Sequence, residues 1–167
     1  MKKCETNVKQ IIEEQQKIKE KYGYFIHCVY DDNETDIVDV HTHGLLEKGR
    51  LELQIKLNIN PEVSKNILND IIILLENNEL NIQVDNVIDD KRIFPRPIAF
   101  KLAKDDFNDN IIRVILPDAH GKFPWDDKCN TLFAPQWTDE DEVIYIIKNI
   151  QYKYHYNQTF IKSLVSF

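Results

Sequence analysis

The chain has few residues that would loosen it or link it covalently. Four glycines and six prolines among 167 residues rule out a linker-rich or low-complexity polypeptide. Three cysteines, Cys4, Cys28 and Cys129, make an odd number with no paired spacing. Reduced thiols in a cytoplasm are therefore expected rather than a disulfide framework. No apolar run reaches the length of a membrane span, since Ile71-Ile-Ile-Leu-Leu75 is far too short. The first residues, Met-Lys-Lys-Cys-Glu-Thr, have no apolar stretch behind the charged start, so Cys4 is not read as a lipoprotein signal. Positive charge is also short: 21 Lys and Arg face 28 Asp and Glu, a formal net charge of −7. Such a field repels phosphate backbones, so no nucleic-acid partner is expected. No Ser, Thr or Cys sits in a recognisable nucleophile context.

What is present suits one domain with a single core: 43% hydrophobic and 29% charged residues. Helical spacing of Val8, Ile11, Ile12 and Ile18 predicts a helix from Thr6 or Asn7 to Tyr22, closed by Gly23. Tyr24–Tyr30 and Asp36–His43 read as strands joined at Asp31-Asp-Asn-Glu34. A turn centred on Asp32-Asn33 would set Tyr30 opposite Thr35, Ile26 opposite Asp39 and Tyr24 opposite His41. Glu47–Arg50 is a second turn. Leu51–Leu57 alternates, with Leu51, Leu53, Ile55 and Leu57 inward and Glu52, Gln54 and Lys56 outward. Asn60-Pro61 opens a helix to about Asn77, with Val63, Ile67, Leu68, Ile71, Leu74 and Leu75 on the buried side.

Leu80–Val84 is a candidate short strand, and 85–97 a proline-interrupted loop with a small basic cluster of Lys91, Arg92 and Arg96. Ile98–Leu102 and Ile111–Leu116 are strands joined through 104–110. Thr138-Asp-Glu-Asp-Glu142 has the signature of a capped helix start, and the aromatic tail Tyr152–Phe167 is compatible with helix or strand. The expected fold is α+β: a mainly antiparallel sheet with helices packed on one face. Residues 1–137 form its core, and residues 138–167 add a C-terminal helix and aromatic tail to the same domain.

Two stretches carry chemistry. In Ile37-Val-Asp-Val-His-Thr-His-Gly-Leu-Leu46, strand alternation puts Asp39, His41 and His43 on one face. Two imidazoles at that spacing can share a divalent ion, and a carboxylate beside them can ligate it or orient one of them. The bland alternative, ranked ahead of it, is that both histidines hydrogen-bond within a polar sheet face. The segment also looks like the first-strand motif of the amidohydrolases, but such barrels need roughly 250 residues. His27, alternating with Phe25 and Val29, is read as a satisfied core histidine.

The second stretch is Pro117-Asp-Ala-His-Gly-Lys-Phe-Pro-Trp-Asp126. Trp125 and Phe123 either seal the core or wall a pocket whose polar groups are Asp118, His120 and Asp126, with Lys122 able to hold an anion. Gly121-Lys122 lacks the upstream glycine of a phosphate-binding loop.

Tyr22-Gly-Tyr, His41-Thr-His-Gly-Leu-Leu-Glu47, Leu51-Glu-Leu-Gln-Ile55, the helix around Asn69 and Leu116–Asp126 together resemble the bacterial "domain of unknown function 4262" family over roughly residues 22–136. Its most specific element, Pro-Asp-x-x-Gly-x-Phe-Pro-Trp-Asp, is complete here. Where many members read Gly-His-Pro-Glu-Leu, this chain has Lys48-Gly-Arg-Leu-Glu-Leu53. The resemblance implies a small soluble bacterial or phage protein and brings no assigned activity.

The leading expectation is a binding module for a small molecule or protein partner. Its cleft would lie between His41–Leu46 and Asp118–Asp126, and His41, His43, Asp118, His120, Lys122, Trp125 and Asp126 would form it. The alternative is a metal-dependent hydrolase. There His41 and His43 ligate the ion, Asp39 or Asp118 completes the set, and His120 is general acid or base, with Asp118 the other catalytic candidate. No organic cofactor is expected, and a divalent metal belongs to the alternative alone.

Overall fold

Local sequence accounts for most of the elements. The computed structural model describes residues 2–30 and 36–138, with side chains from residue 9 onward. The predicted helix at Thr138 and the Tyr152–Phe167 tail fall outside them. Helix α1 spans Lys2–Tyr22. It starts earlier than Thr6, since residues 2–5 hold no glycine or proline to stop it. Gly23 ends it at φ 79°, its N–H bonded to Lys19 O at 2.7 Å. Helix α2 spans Pro61–Glu76; the Asn60 side chain accepts from Glu62 N, and Pro61 fills the first helical position.

Six strands follow the order β1-β2-β3-β6-β5-β4 across one sheet. They are β1 (Phe25–Tyr30), β2 (Val38–His43), β3 (Glu52–Leu57), β4 (Val87–Ile88), β5 (Ile98–Lys104) and β6 (Asn110–Ile115). All neighbours are antiparallel except β3 and β6, which run parallel, as α2, β4 and β5 lie between them in the chain. The architecture is the α+β class expected from the sequence.

Alternation sorts the strands onto two faces. Val38, Val40, Leu53, Ile55, Leu57, Phe100, Ile112 and Val114 face α2 and pack on its Ile67, Leu68, Ile71 and Ile72. Val63, expected on that side of the helix, is exposed, and Ser64 is buried instead. The second face is divided. Over β5 and β6 it carries Ala99, Ala103, Ile111 and Ile115, covered by Phe123 and Trp137 from the chain after β6. Over β1 to β3 it carries His27, Asp39, His41 and His43 and is half-open.

Three local expectations are corrected. Pairing in the first hairpin is Phe25↔His43, His27↔His41 and Val29↔Asp39, not Tyr24 with His41 or Ile26 with Asp39. Tyr30 pairs with Val38 rather than Thr35, so the connection is longer than a tight turn at Asp32-Asn33. The shift is odd, and an odd slip exchanges which residues share a face. Leu80–Val84 forms no strand; Asp85, at φ 68°, turns the chain and the pairing with β5 falls at Val87–Ile88. Gln54, expected in solvent, is only 2% exposed.

Candidate functional site: a tri-histidine face

One cross-strand row organises the second face. His27, His41, Gln54, Arg113 and Lys101 are successive register partners across β1, β2, β3, β6 and β5. Side chains opposite one another on neighbouring strands share a face and touch. At the centre Arg113 is 5% exposed, a charge that must be met by acceptors. Its Nε donates to Gln54 Oε1 at 2.9 Å, and its guanidinium also reaches Lys104 O. Gln54 Nε2 donates to Asp39 Oδ2 at 2.6 Å, and Asp39 Oδ1 lies 2.8 Å from His41 Nδ1.

This chain of bonds sets the imidazole. Arginine only donates, so Gln54 must turn its oxygen to Arg113 and its amide N–H to Asp39. The Asp39 carboxylate only accepts, so His41 carries its proton on Nδ1 and its Nε2 lone pair points outward. A ligating histidine needs such a partner on its other nitrogen. His41 Nε2 lies 3.1 Å from His43 Nε2.

His27, opposite His41 on β1, joins them: the ligand atoms of His27, His41 and His43 all lie within 4.8 Å of one another. Two donors about 2.0–2.1 Å from a tetrahedral ion are about 3.3 Å apart, so the His41–His43 spacing already fits. Closing the widest pair needs about 1.5 Å of movement, which half-buried side chains can supply. Phe25 stacks on His43 with ring centroids 4.8 Å apart and limits its rotation. Burial, then the neighbouring His41, holds the His27 and His43 imidazoles below the ordinary histidine value. Both therefore favour the neutral form that a metal takes.

The end of β2 is fixed separately. Thr42 Oγ1 donates to Glu52 Oε2 at 2.6 Å and accepts from Leu53 N at 2.9 Å. Glu52 Oε1 accepts from Gly44 N and Leu46 N. Gly44 sits at φ 111°, where an added Cβ would lie 2.7 Å from Gly23 O. The Gly44–Leu46 turn is thus tied down behind the histidines.

The second sequence motif lies elsewhere. β3 and β6 are parallel, so Gly44–Leu46, before β3, and Asp118–Asp126, after β6, leave the sheet from opposite ends. The cavities beside the histidines are lined from the Asp105–Phe107 turn and not from 118–126. Neither of these cavities joins the two segments.

Asp118 is 1% exposed, and its oxygens accept the backbone N–H groups of His120, Lys122 and Asn130. Those bonds, led by Lys122 N, hold its carboxyl below the usual range. Asp126 Oδ2 accepts from Phe123 N. Phe123 is buried; Trp125 stacks on it at 5.0 Å and lies over Lys101 Nζ, 4.8 Å from the ring centre. His120 and Lys122 are exposed. The Asp118 carboxylate thus staples its own loop, and neither it nor His120 lines the cavities beside His41 and His43. Of the basic cluster, Lys91 pairs with Asp89, and Arg92 pairs with Asp90 and Glu79.

A separate cavity of about 490 Å³ opens on the α2 side, lined mainly by Leu51, Leu53, Leu75, Leu80 and Ile82. Arg50 at its rim donates to Leu75 O. It gathers no cluster of reactive groups.

Sequence reasoning brought Asp39, His41 and His43 to one face and missed His27, Gln54 and Arg113. Arg113 carried a signal: a charge inside Ile111-Ile-Arg-Val-Ile115 requires a buried acceptor. His27 carried none without the hairpin register.

The fold and this face define an α+β domain with three histidines and a supporting carboxylate on the half-open side of its sheet. Compared with protein-family models, curated proteins and solved structures, the chain finds no match. The likeness to the "domain of unknown function 4262" family rests on its motifs. No helix of the described residues is long and apolar enough to cross a membrane.

Proposed function

We propose that the chain is a binding domain whose ligand is a divalent transition-metal ion, taken by His27, His41 and His43. The observation behind this is the convergence of three imidazoles, with Asp39 holding the proton of His41 on the nitrogen away from the others. An all-imidazole set suits zinc, copper or nickel rather than calcium or magnesium. The two described cysteines, Cys28 and Cys129, are free thiols, in keeping with a reducing cytoplasm.

The test is metal content of untagged protein, followed by zinc titration of the stripped protein. One zinc per chain is expected, and the stoichiometric site should vanish in His27→Ala, His41→Ala and His43→Ala. A protein that stays metal-free at micromolar zinc, or binds equally well without His27, refutes the reading.

A second reading follows from ligand count. Three protein ligands leave a tetrahedral ion one position for water, whose pKa the ion lowers. Asp106 lines both cavities beside the histidines and could take a proton from that water. In ester hydrolysis such an ion would supply an activated water; as its oxygen bonded to the carbonyl carbon and the bond to the alcohol oxygen broke, Asp106 would hold the proton and pass it to the departing alkoxide. Zinc-dependent turnover of p-nitrophenyl acetate that is lost in Asp106→Asn with zinc still bound supports it. Equal rates for loaded and stripped protein exclude it.

A further inference from the structure

The β5–β6 turn displays a bare aromatic ring beside the histidines. Phe107 is 86% exposed, the most exposed large apolar side chain among the described residues. The turn is braced, not frayed. Asp105 Oδ1 accepts from Phe107 N at 3.0 Å and Asp109 N at 2.8 Å, and Asp105 N donates to Asp109 O at 3.1 Å. Lys104 Nζ bonds Asn108 O within the same turn. A fixed turn that holds phenylalanine in water is unexplained by packing.

Phe107 lines both cavities that reach the histidines. The smaller, about 80 Å³, also touches His41 and His43; the larger, about 840 Å³, touches all three histidines together with Phe25 and Tyr30. The larger cavity is thus lined by aromatic rings from two elements, Phe107 from the turn and Phe25 and Tyr30 from β1. Their charge is acidic. Asp39, Glu52, Asp105 and Asp106 line the smaller cavity, which has no lysine or arginine among its described lining residues. Among the described residues, Lys56 is the one lysine or arginine lining the larger. Apart from the ion's own charge, that field disfavours the multiply charged phosphate and sulfate groups more than a singly charged ligand.

We infer that the molecule completing the ion's coordination is a small organic ligand with an aromatic ring, packed between Phe107 and Phe25, and not a phosphate. This rests on the metal-binding reading above. The metal-binding head occupies the position opposite the imidazoles, and the ring covers the phenyl groups that water otherwise wets.

The probes are acetohydroxamate and benzohydroxamate, which share a metal-binding head and differ by one ring, with inorganic phosphate as the anionic control. Each is titrated into the cobalt-loaded full chain, whose visible spectrum first reports loading. Benzohydroxamate is expected to bind about tenfold more tightly than acetohydroxamate, and phosphate not to alter the spectrum. Phe107→Ala should leave cobalt affinity unchanged and reduce the tenfold preference to about twofold or less. Because Phe107 is exposed, this variant does not disturb the core.

Equal affinity for the two hydroxamates, a preference that survives in Phe107→Ala, or tighter binding of phosphate overturns the inference while metal binding stands. Failure to obtain a cobalt spectrum overturns metal binding itself, and this inference with it.

Discussion

Replacing Asp39 by asparagine keeps the size of the side chain and removes its ability to accept on both oxygens. Asp39 accepts 2.8 Å from His41 Nδ1 and 2.6 Å from Gln54 Nε2. Asparagine has one oxygen to give. If that oxygen faces His41, its NH₂ meets the Gln54 NH₂. Gln54 cannot turn over, because its own oxygen is required by Arg113 Nε at 2.9 Å. If the oxygen faces Gln54 instead, the NH₂ faces His41 Nδ1, and the imidazole proton moves to Nε2, the atom needed by the ion. Either outcome weakens the site. Loss of such a supporting group costs about 10–100-fold in metal affinity, or about 1.4–2.7 kcal/mol. The assay is zinc competition against a chromophoric chelator at pH 7.5, with circular dichroism to verify the fold. His41→Ala, which removes a ligand outright, should lose more. A folded Asp39→Asn protein that binds zinc within twofold of the parent refutes the reasoning about the Arg113–Gln54–Asp39–His41 chain.

Thr42→Val should cost about 1–3 kcal/mol in urea denaturation, because Leu53 N loses its acceptor inside the sheet; a change below about 0.5 kcal/mol would show that bond to be dispensable. Asp118→Ala should lower Tm by several degrees, since three backbone N–H groups lose their acceptor, and leave zinc affinity within twofold; a large loss of zinc binding would place that loop at the site after all. Acid should destabilise the metal-free protein. Burial and His41 hold His27 and His43 below the ordinary value, so between those lowered values and about 6.5 the unfolded chain binds more protons than the folded one. Stability is therefore full above about pH 6.5 and is lost as pH falls through the folded values. Tm followed from pH 8 to pH 5 should fall less steeply in His27→Gln/His43→Gln, and identical slopes would contradict this.

Much of the fold is legible because it depends on neighbours in the chain. Leu51–Leu57 alternates, and it forms β3 with Leu53, Ile55 and Leu57 buried. Asn60-Pro61 starts α2 through a cap made by the next residues. The Asp39-x-His41-x-His43 pattern places those three residues on one face by strand geometry alone. Gln54 shows where this reasoning ends. Its alternation predicts a solvent-facing side chain, yet the face it occupies is filled by Asp39 from β2, Arg113 from β6 and the chain after β6. Nothing within Leu51–Leu57 reports those partners.

The sequence by itself determined most of the elements, the class of fold and the shared face of Asp39, His41 and His43, because each follows from a period of two or 3.6 or from a local cap. Only the tertiary structure decided which residues meet. The long connection between β1 and β2 shifts the register by an odd step and brings His27, rather than Tyr24, opposite His41. Placing β6 beside β3 brings Arg113 to Gln54 and sends the chain after β6 out at the far end, to fold back over β5 and β6 rather than over the histidines. Register and strand order depend on contacts between distant segments, and so the third histidine became part of the site through pairing rather than through any motif.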